Sequence, residues 1–396
     1  MEAKGIKTYR LTEAEVKIKV ASVFGTRPDT IKMCPLIKEL TSHSDLIDSV
    51  TIGVAQHRQM MDQALEVFGV KPDYDLDIMV ENQSLGEIST RCLERVGKVL
   101  EIEKPDIVLV HGDTSTGFSS ALAAFYAKIK VGHVEAGLRT NCKMDPFPEE
   151  MNRRLIANIA DIHFAPTISH KANLMREMVN EESIYVTGNT GIDAVLEVCT
   201  RDGEYENEEL RKLDLHGKRM ILVTSHRREN LGGPMREIFG AIRDILEKHK
   251  DAVVVFPVHL NPVVQDLANE MLSNIDRCIL IRPISYMDMV KLMKSSYMIM
   301  TDSGGLQEEA PALDKPVMVL RNTTERPEGV EAGTLLLCGT KREQIVVSAE
   351  ELLSNGELYR KMVSAKNPYG DGTASKRTVL GILHYFDLAK RPDEFN

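Results

Sequence analysis

The run Tyr297-Met298-Ile299-Met300, followed by Thr301-Asp302-Ser303-Gly304-Gly305-Leu306-Gln307-Glu308-Glu309-Ala310-Pro311, reads as a buried strand that breaks into a turn of small residues and then starts a helix. Such a turn suits an anion. Glycines remove side-chain bulk where the backbone must approach a ligand, and the first N–H groups of a helix lack partners and carry partial positive charge. Ser303, Gly304 and Gly305 are therefore candidates for holding phosphate oxygens. Glu308 and Glu309 follow one turn on. An acid does not help to bind phosphate, but Glu309 can accept hydrogen bonds from both hydroxyls of a ribose, so the turn fits a nucleoside diphosphate. The same device also joins strands to helices with no ligand at all, and its meaning depends on the remainder of the chain.

Working outward, short β-branched runs alternate with helical segments along the whole sequence, the signature of parallel βαβ units. In the first half the strands are expected near 17–24, 49–54, 106–110, 130–134, 162–166 and 184–187. A polar passage, 200–218, interrupts the pattern as a linker, and strands resume at 220–223, 252–256, 278–281, 297–300, 317–320 and 335–337. The expected organisation is an N-terminal polar extension (1–16), a doubly wound domain (17–199), the linker (200–218), and a second doubly wound domain (219–372). A closing segment (373–396) follows, whose helix, about 375–389, packs back on the first domain. Ligands in open parallel sheets bind beyond the carboxyl ends of the strands.

Composition narrows the function. At 396 residues with 43% hydrophobic and 27% charged residues, the chain has ample core and is not disordered. No apolar run approaches the ~20 residues of a membrane span, and 1–16 lacks the apolar centre of a signal peptide, so a cytoplasmic protein is expected. Six cysteines spaced 50 or more residues apart suit free thiols, and eleven histidines show no metal-binding spacing. A net charge of −10 argues against nucleic acid and membrane as partners, so an anionic ligand must be met by a local cluster of arginines.

The strand ends supply such groups. Val23-Phe24-Gly25-Thr26-Arg27-Pro28-Asp29 places Arg27 at a helix start with Lys32 about one turn in, and Val110-His111-Gly112-Asp113-Thr114 repeats the design. Asp113 is either a helix cap or an active-site acid. His133-Val134-Glu135-Ala136-Gly137-Leu138-Arg139 ends the next strand, and Pro148-Glu149-Glu150-Met151-Asn152-Arg153 opens a helix on which Glu149 and Arg153 share a face, as a surface ion pair would also require. Asp113, Glu135 and Glu149 converge at one end of one sheet, where repulsion and burial are expected to raise at least one pKa into the range useful for proton transfer. In the second half, Ser225-His226-Arg227-Arg228-Glu229-Asn230 is an anion-binding turn or a solvated basic one, and Arg326 in Thr323-Thr324-Glu325-Arg326-Pro327 is placed to reach the cleft.

These motifs occur in the order found in non-hydrolysing UDP-N-acetylglucosamine 2-epimerases, which the chain resembles from about residue 20 to 385. The resemblance implies two Rossmann-like domains facing across a cleft, as in GT-B glycosyltransferases. It implies reversible interconversion of UDP-N-acetylglucosamine and UDP-N-acetylmannosamine by elimination of UDP to 2-acetamidoglucal and re-addition, without nicotinamide or metal, in support of surface polysaccharide or glycan synthesis. Carried over by motif position, Asp113, Glu135, Glu149 and His226 form the catalytic set. Arg27, Lys32, Arg153, Arg227, Ser303, Gly304, Gly305, Glu309 and Arg326 bind substrate. Gln56, His57 and Gln59 match the segment that in some bacterial members meets a second UDP-N-acetylglucosamine as activator, or they only line the cleft; a homodimer is also implied. The alternatives are a hydrolysing 2-epimerase, a 2-epimerase of a 2,3-diacetamido uronic acid UDP-sugar, a UDP-sugar glycosyltransferase, and a non-catalytic nucleotide-sugar sensor.

Overall fold

The computed structural model describes residues 17–56, 58–80 and 83–396; the extension 1–16 and His57 lie outside the described residues. The apolar runs form two wholly parallel sheets. The first contains β1 (Ile18–Phe24), β2 (Ile47–Gly53), β3 (Tyr74–Asp75), β4 (Ile107–His111), β5 (Lys130–Val134), β6 (Ile162–Ala165) and β7 (Ile184–Val186), in the order β3-β2-β1-β4-β5-β6-β7. The second contains β8 (Arg219–Thr224), β9 (Ala252–Pro257), β10 (Cys278–Ile281), β11 (Met298–Thr301), β12 (Val317–Val319) and β13 (Leu335–Leu337), in the order β10-β9-β8-β11-β12-β13. Because crossover helices cover both faces, central strands are apolar throughout: Ile107, Val108, Leu109 and Val110 of β4 are all fully buried.

Strand order reverses between β1 and β4 and again between β8 and β11. At such a point neighbouring helices leave to opposite faces, and the strand ends stay open. Register keeps the ends level: Thr224 of β8 pairs with Thr301 of β11, their hydroxyls 2.6 Å apart. After β1 a reciprocal cap, in which Asp29 Oδ1 accepts from the Thr26 N–H at 2.7 Å and from its hydroxyl at 2.8 Å, starts the helix Arg27–Ser42 and makes Arg27 its first residue.

The closing helix, Ala374–Tyr385, packs on helices Arg27–Ser42 and Thr190–Cys199 of the first half and ends short of the expected 389. Gly381 admits it, since a Cβ there would lie 2.9 Å from the Phe164 ring. Its N-terminus is capped from another helix. Buried Asp193 accepts from the N–H groups of Ala374 (3.1 Å) and Ser375 (2.6 Å). Asp193→Ala strands those donors and is expected to lower unfolding stability by about 1–3 kcal/mol, read as a reduced urea midpoint with the far-UV circular-dichroism signal of the folded protein retained.

Candidate active site

The open ends of β1, β4 and β5 face those of β8 and β11. Glu135, just past β5, takes a left-handed backbone (φ 61°), a costly conformation for a residue with a side chain, which turns its carboxylate toward the helix after β1. There Lys32 Nζ bonds Glu135 Oε2, and His111 Nε2 stands 3.3 Å from the same oxygen. Gly137, two residues on (φ 96°), permits this loop, because a Cβ there would fall 2.4 Å from the carbonyl oxygen of His170. Burial opposes ionisation of Glu135, but Lys32 and His111 outweigh it and hold the carboxyl well below the usual range. Glu309, by contrast, is pushed up to about 8 by burial and by Glu308 and Glu135, against the cations Lys32 and Arg27.

Asp113 does not cap a helix. Thr114 takes that role, its side chain accepting from the Gly117 N–H, and leaves the Asp113 carboxylate to Arg153, whose Nε donates at 3.1 Å. Asn152 holds the Asp113 carbonyl at 2.9 Å. Arg153 is 4% exposed and also pairs with Glu150 at 3.1 Å. It therefore pairs with these two acids and not with Glu149 four residues earlier, because Glu150 is fully buried and needs Arg153, Arg154 and the Thr140 N–H around it. Glu149 opens the same helix and stays half-buried.

On the second sheet, Asp302 is fully buried and gathers the turn after β8: it accepts from the Ser225 hydroxyl (3.0 Å), the main-chain N–H of His226 (2.9 Å) and of Arg227 (3.0 Å), and Asn230 Nδ2 (3.0 Å). His226 stacks on His259 at 5.3 Å, and burial lowers its pKa against the pull of Asp302. Arg227 is half-buried beside a polar cavity of about 300 Å³ that also meets Asp145 and Pro146 of the first half. Ser303 precedes the short helix Gly304–Glu309, so Gly304 and Gly305 supply its first N–H groups. The space beside Gly304 belongs to protein: a Cβ there would stand 3.0 Å from Cζ of Arg326.

Residues 38–383 match the family described as UDP-N-acetylglucosamine 2-epimerase. The UDP-N-acetylglucosamine 2-epimerase of Bacillus subtilis (strain 168) is 54% identical over 381 residues, covering 96% of this chain and 99% of the relative. The chain belongs to this 2-epimerase family. A crystal structure of a UDP-N-acetylglucosamine 2-epimerase, 51% identical, superposes with a TM-score of 0.87 over 96% of this chain and all of the other, 100%. That of the Neisseria meningitidis UDP-GlcNAc 2-epimerase, bound to UDP-GlcNAc, gives 0.84 at 46% identity, over 93% and 100% of the two chains.

Within this family member, Arg27 is half-buried and faces Glu309 and the phenol of Tyr286. Lys32 is engaged by Glu135 and stands 3.7 Å from Glu308, so it is a partner of the acids as much as a free cation. Arg326 lies between Glu308 (2.9 Å) and Glu325 (3.0 Å). Gln56 accepts from the Thr116 hydroxyl at 2.7 Å, and Gln59 is exposed. Among the described residues no group of three or more His, Cys, Asp or Glu side chains is arranged to hold a metal, and no helix is long and apolar enough to cross a membrane.

Motif reading left out His111, Asp302, Glu308, Tyr286 and Asn189. The first three stand inside those motifs, where a strand-end histidine and the acids of the glycine turn were the available signals. Tyr286, a buried phenol whose hydroxyl has no hydrogen-bond partner among the described residues, and Asn189, beyond β7, had none.

Because the folded pKa of Glu309 lies above the ~4.3 of a free glutamate, the folded protein holds a proton there that the unfolded chain has lost. Stability therefore falls as pH rises from that value to about 8 and levels off above it. Glu309→Gln is expected to flatten this slope in urea titrations run across the interval.

Proposed function

We propose that this protein interconverts UDP-N-acetylglucosamine and UDP-N-acetylmannosamine without net hydrolysis. One observation carries the reading: Lys32 and Glu308 join the acid cluster of the first sheet directly to the anion-type turn and Arg326 of the second. A sugar held at that seam would have carboxylates at its ring and donors at its diphosphate.

The proton at C2 is not acidic enough for direct inversion, so the route is an elimination. A base takes the C2 proton while the C1–O bond breaks, UDP departs with the electron pair, and 2-acetamidoglucal remains with a C1=C2 double bond. The diphosphate oxygen then re-adds to C1, and a proton reaches C2 from the opposite face. Asp113, Glu135 and Glu149 are the proton-transfer groups. Glu135 paired with Lys32 is too weak a base near neutrality. A substrate diphosphate competing for Lys32 would unload Glu135 and raise its basicity as the sugar arrives. The imidazole of His226, Arg27, Arg227 and Arg326, the hydroxyl of Ser303, whose own N–H is held by the Thr301 hydroxyl at 2.9 Å, and the N–H groups of Gly304 and Gly305 would stabilise the leaving diphosphate, and Glu309 would accept from the ribose. The same reading takes from the family a homodimer, an activating second UDP-N-acetylglucosamine at Gln56 and Gln59, and a role in supplying N-acetylmannosamine-type sugars.

In deuterium oxide without added metal or nicotinamide, proton NMR should show UDP-N-acetylmannosamine carrying deuterium at C2 with UDP attached. Free N-acetylmannosamine plus UDP would assign the hydrolysing reaction instead. Asp113→Asn and Glu135→Gln are each expected to cut turnover about 10²–10⁴-fold while UDP affinity stays largely intact; unchanged turnover would reject the catalytic assignment.

A further inference from the structure

We infer that Glu308 is a positioning residue that sets the stance of both Lys32 and Arg326, and so couples the proton-transfer side chains of the first sheet to the diphosphate side of the second. The roles of those two partners rest on the function proposed above; the contacts do not.

Glu308 is 8% exposed in its side chain and sits where three segments meet. Its Oε1 accepts from Arg326 Nε at 2.9 Å. Its Oε2 accepts from Asn189 Nδ2 at 2.9 Å and lies 3.7 Å from Lys32 Nζ. The main-chain carbonyl of Glu308 accepts from Asn367 Nδ2 at 3.1 Å, which fixes the backbone independently of the side-chain charge. Both carboxylate oxygens are thus taken by protein donors. A bare carboxylate would repel a diphosphate, so this one acts through its partners rather than by touching substrate.

Each partner has a competing acid, and Glu308 decides the balance. Arg326 also holds Glu325 at 3.0 Å through Nη1, and it lies flat over Gly304, where only a residue without Cβ leaves room for the guanidinium. Without Glu308 the Nε edge loses its anchor, and Arg326 can follow Glu325 away from the phosphate-type turn. Lys32 stands between Glu135 and Glu308. Without Glu308 it is left to Glu135 alone, which keeps that carboxylate occupied and the cation away from the diphosphate. A buried charge with partners this close produces non-additive effects when they are changed together.

The test is a pair of double-mutant cycles on the full chain. UDP affinity is measured by calorimetry for Glu308→Gln, Arg326→Gln and the double variant, and kcat and KM for C2 exchange are measured for Glu308→Gln, Lys32→Met and their double. Glu308→Gln is expected to weaken UDP at least ~10-fold, the Glu308/Arg326 double to bind UDP no worse than Arg326→Gln alone, and the Glu308/Lys32 double to turn over no slower than Lys32→Met. Additive losses in both cycles, or a change in Tm with UDP affinity and kcat untouched, would overturn the inference. If Glu308→Gln does not fold, Glu308→Asp keeps the charge but loses reach, and the same non-additivity is expected from it. Failure of the unsubstituted protein to exchange C2 would count against the proposed reaction only, because the calorimetric cycle reads the coupling of Glu308 to Arg326 without turnover.

Discussion

Each sheet reverses its strand order once, and everything at the site follows from that constraint. With right-handed crossovers a parallel sheet covers both faces only by reversing its strand order, and where the order reverses two adjacent strand ends escape being roofed by a helix. The first reversal exposes the turns that carry Arg27 and Asp113, and the second those that carry His226, Arg227 and Ser303. Acids accumulate on one side and anion-type donors on the other. Lys32 and Asn189 then reach across the seam to Glu308, which on its own side holds Arg326.

Carboxylates at the seam divide by how completely the protein uses them. Asp29, Glu150, Asp302 and Glu308 are buried, and their oxygens are taken by backbone amides, arginines or amide side chains; they shape turns and aim cations. Asp113, Glu149 and Glu309 keep part of their surface open. Glu135 stands between the groups, half-buried but paired, with a lysine partner that a stronger anion could draw away. Burial alone would have made all of them poor ions; their partners decide which stay charged.

Most of the strands were legible in the sequence, because a strand covered on both faces must be an apolar run whatever lies around it. β3 was not, since its two residues, Tyr74 and Asp75, leave no run to find. Local chemistry was legible to the level of the turn and no further. The Asp113 side chain is released because Thr114, one residue later, has a hydroxyl that caps equally well. The spacing of Glu149 and Arg153 suggested a pair, but a fully buried neighbour, Glu150, has the greater need of a cation. Gly304 was legible as a site of close approach, though what approaches is an arginine from a distant turn. The crowding expected to raise a pKa among Asp113, Glu135 and Glu149 instead lowers Glu135, because Lys32 points at it across a loop that only the fold brings near. Sequence reveals which groups are present at a strand end; the pairing among them is a property of the assembled seam.

The helical layer over the first sheet is finished by residues 374–385, locked to Asp193 across a separation of 181 positions. A chain leaving the ribosome amino end first therefore makes all of β1–β7 and then the entire second sheet before the piece that completes the first can arrive. The two halves cannot mature one after the other. The first must wait, with the surface destined for that helix open to water or to a chaperone, until the last turns have been synthesised and folded back, and the act that completes it also fastens the two sheets into one cooperative unit.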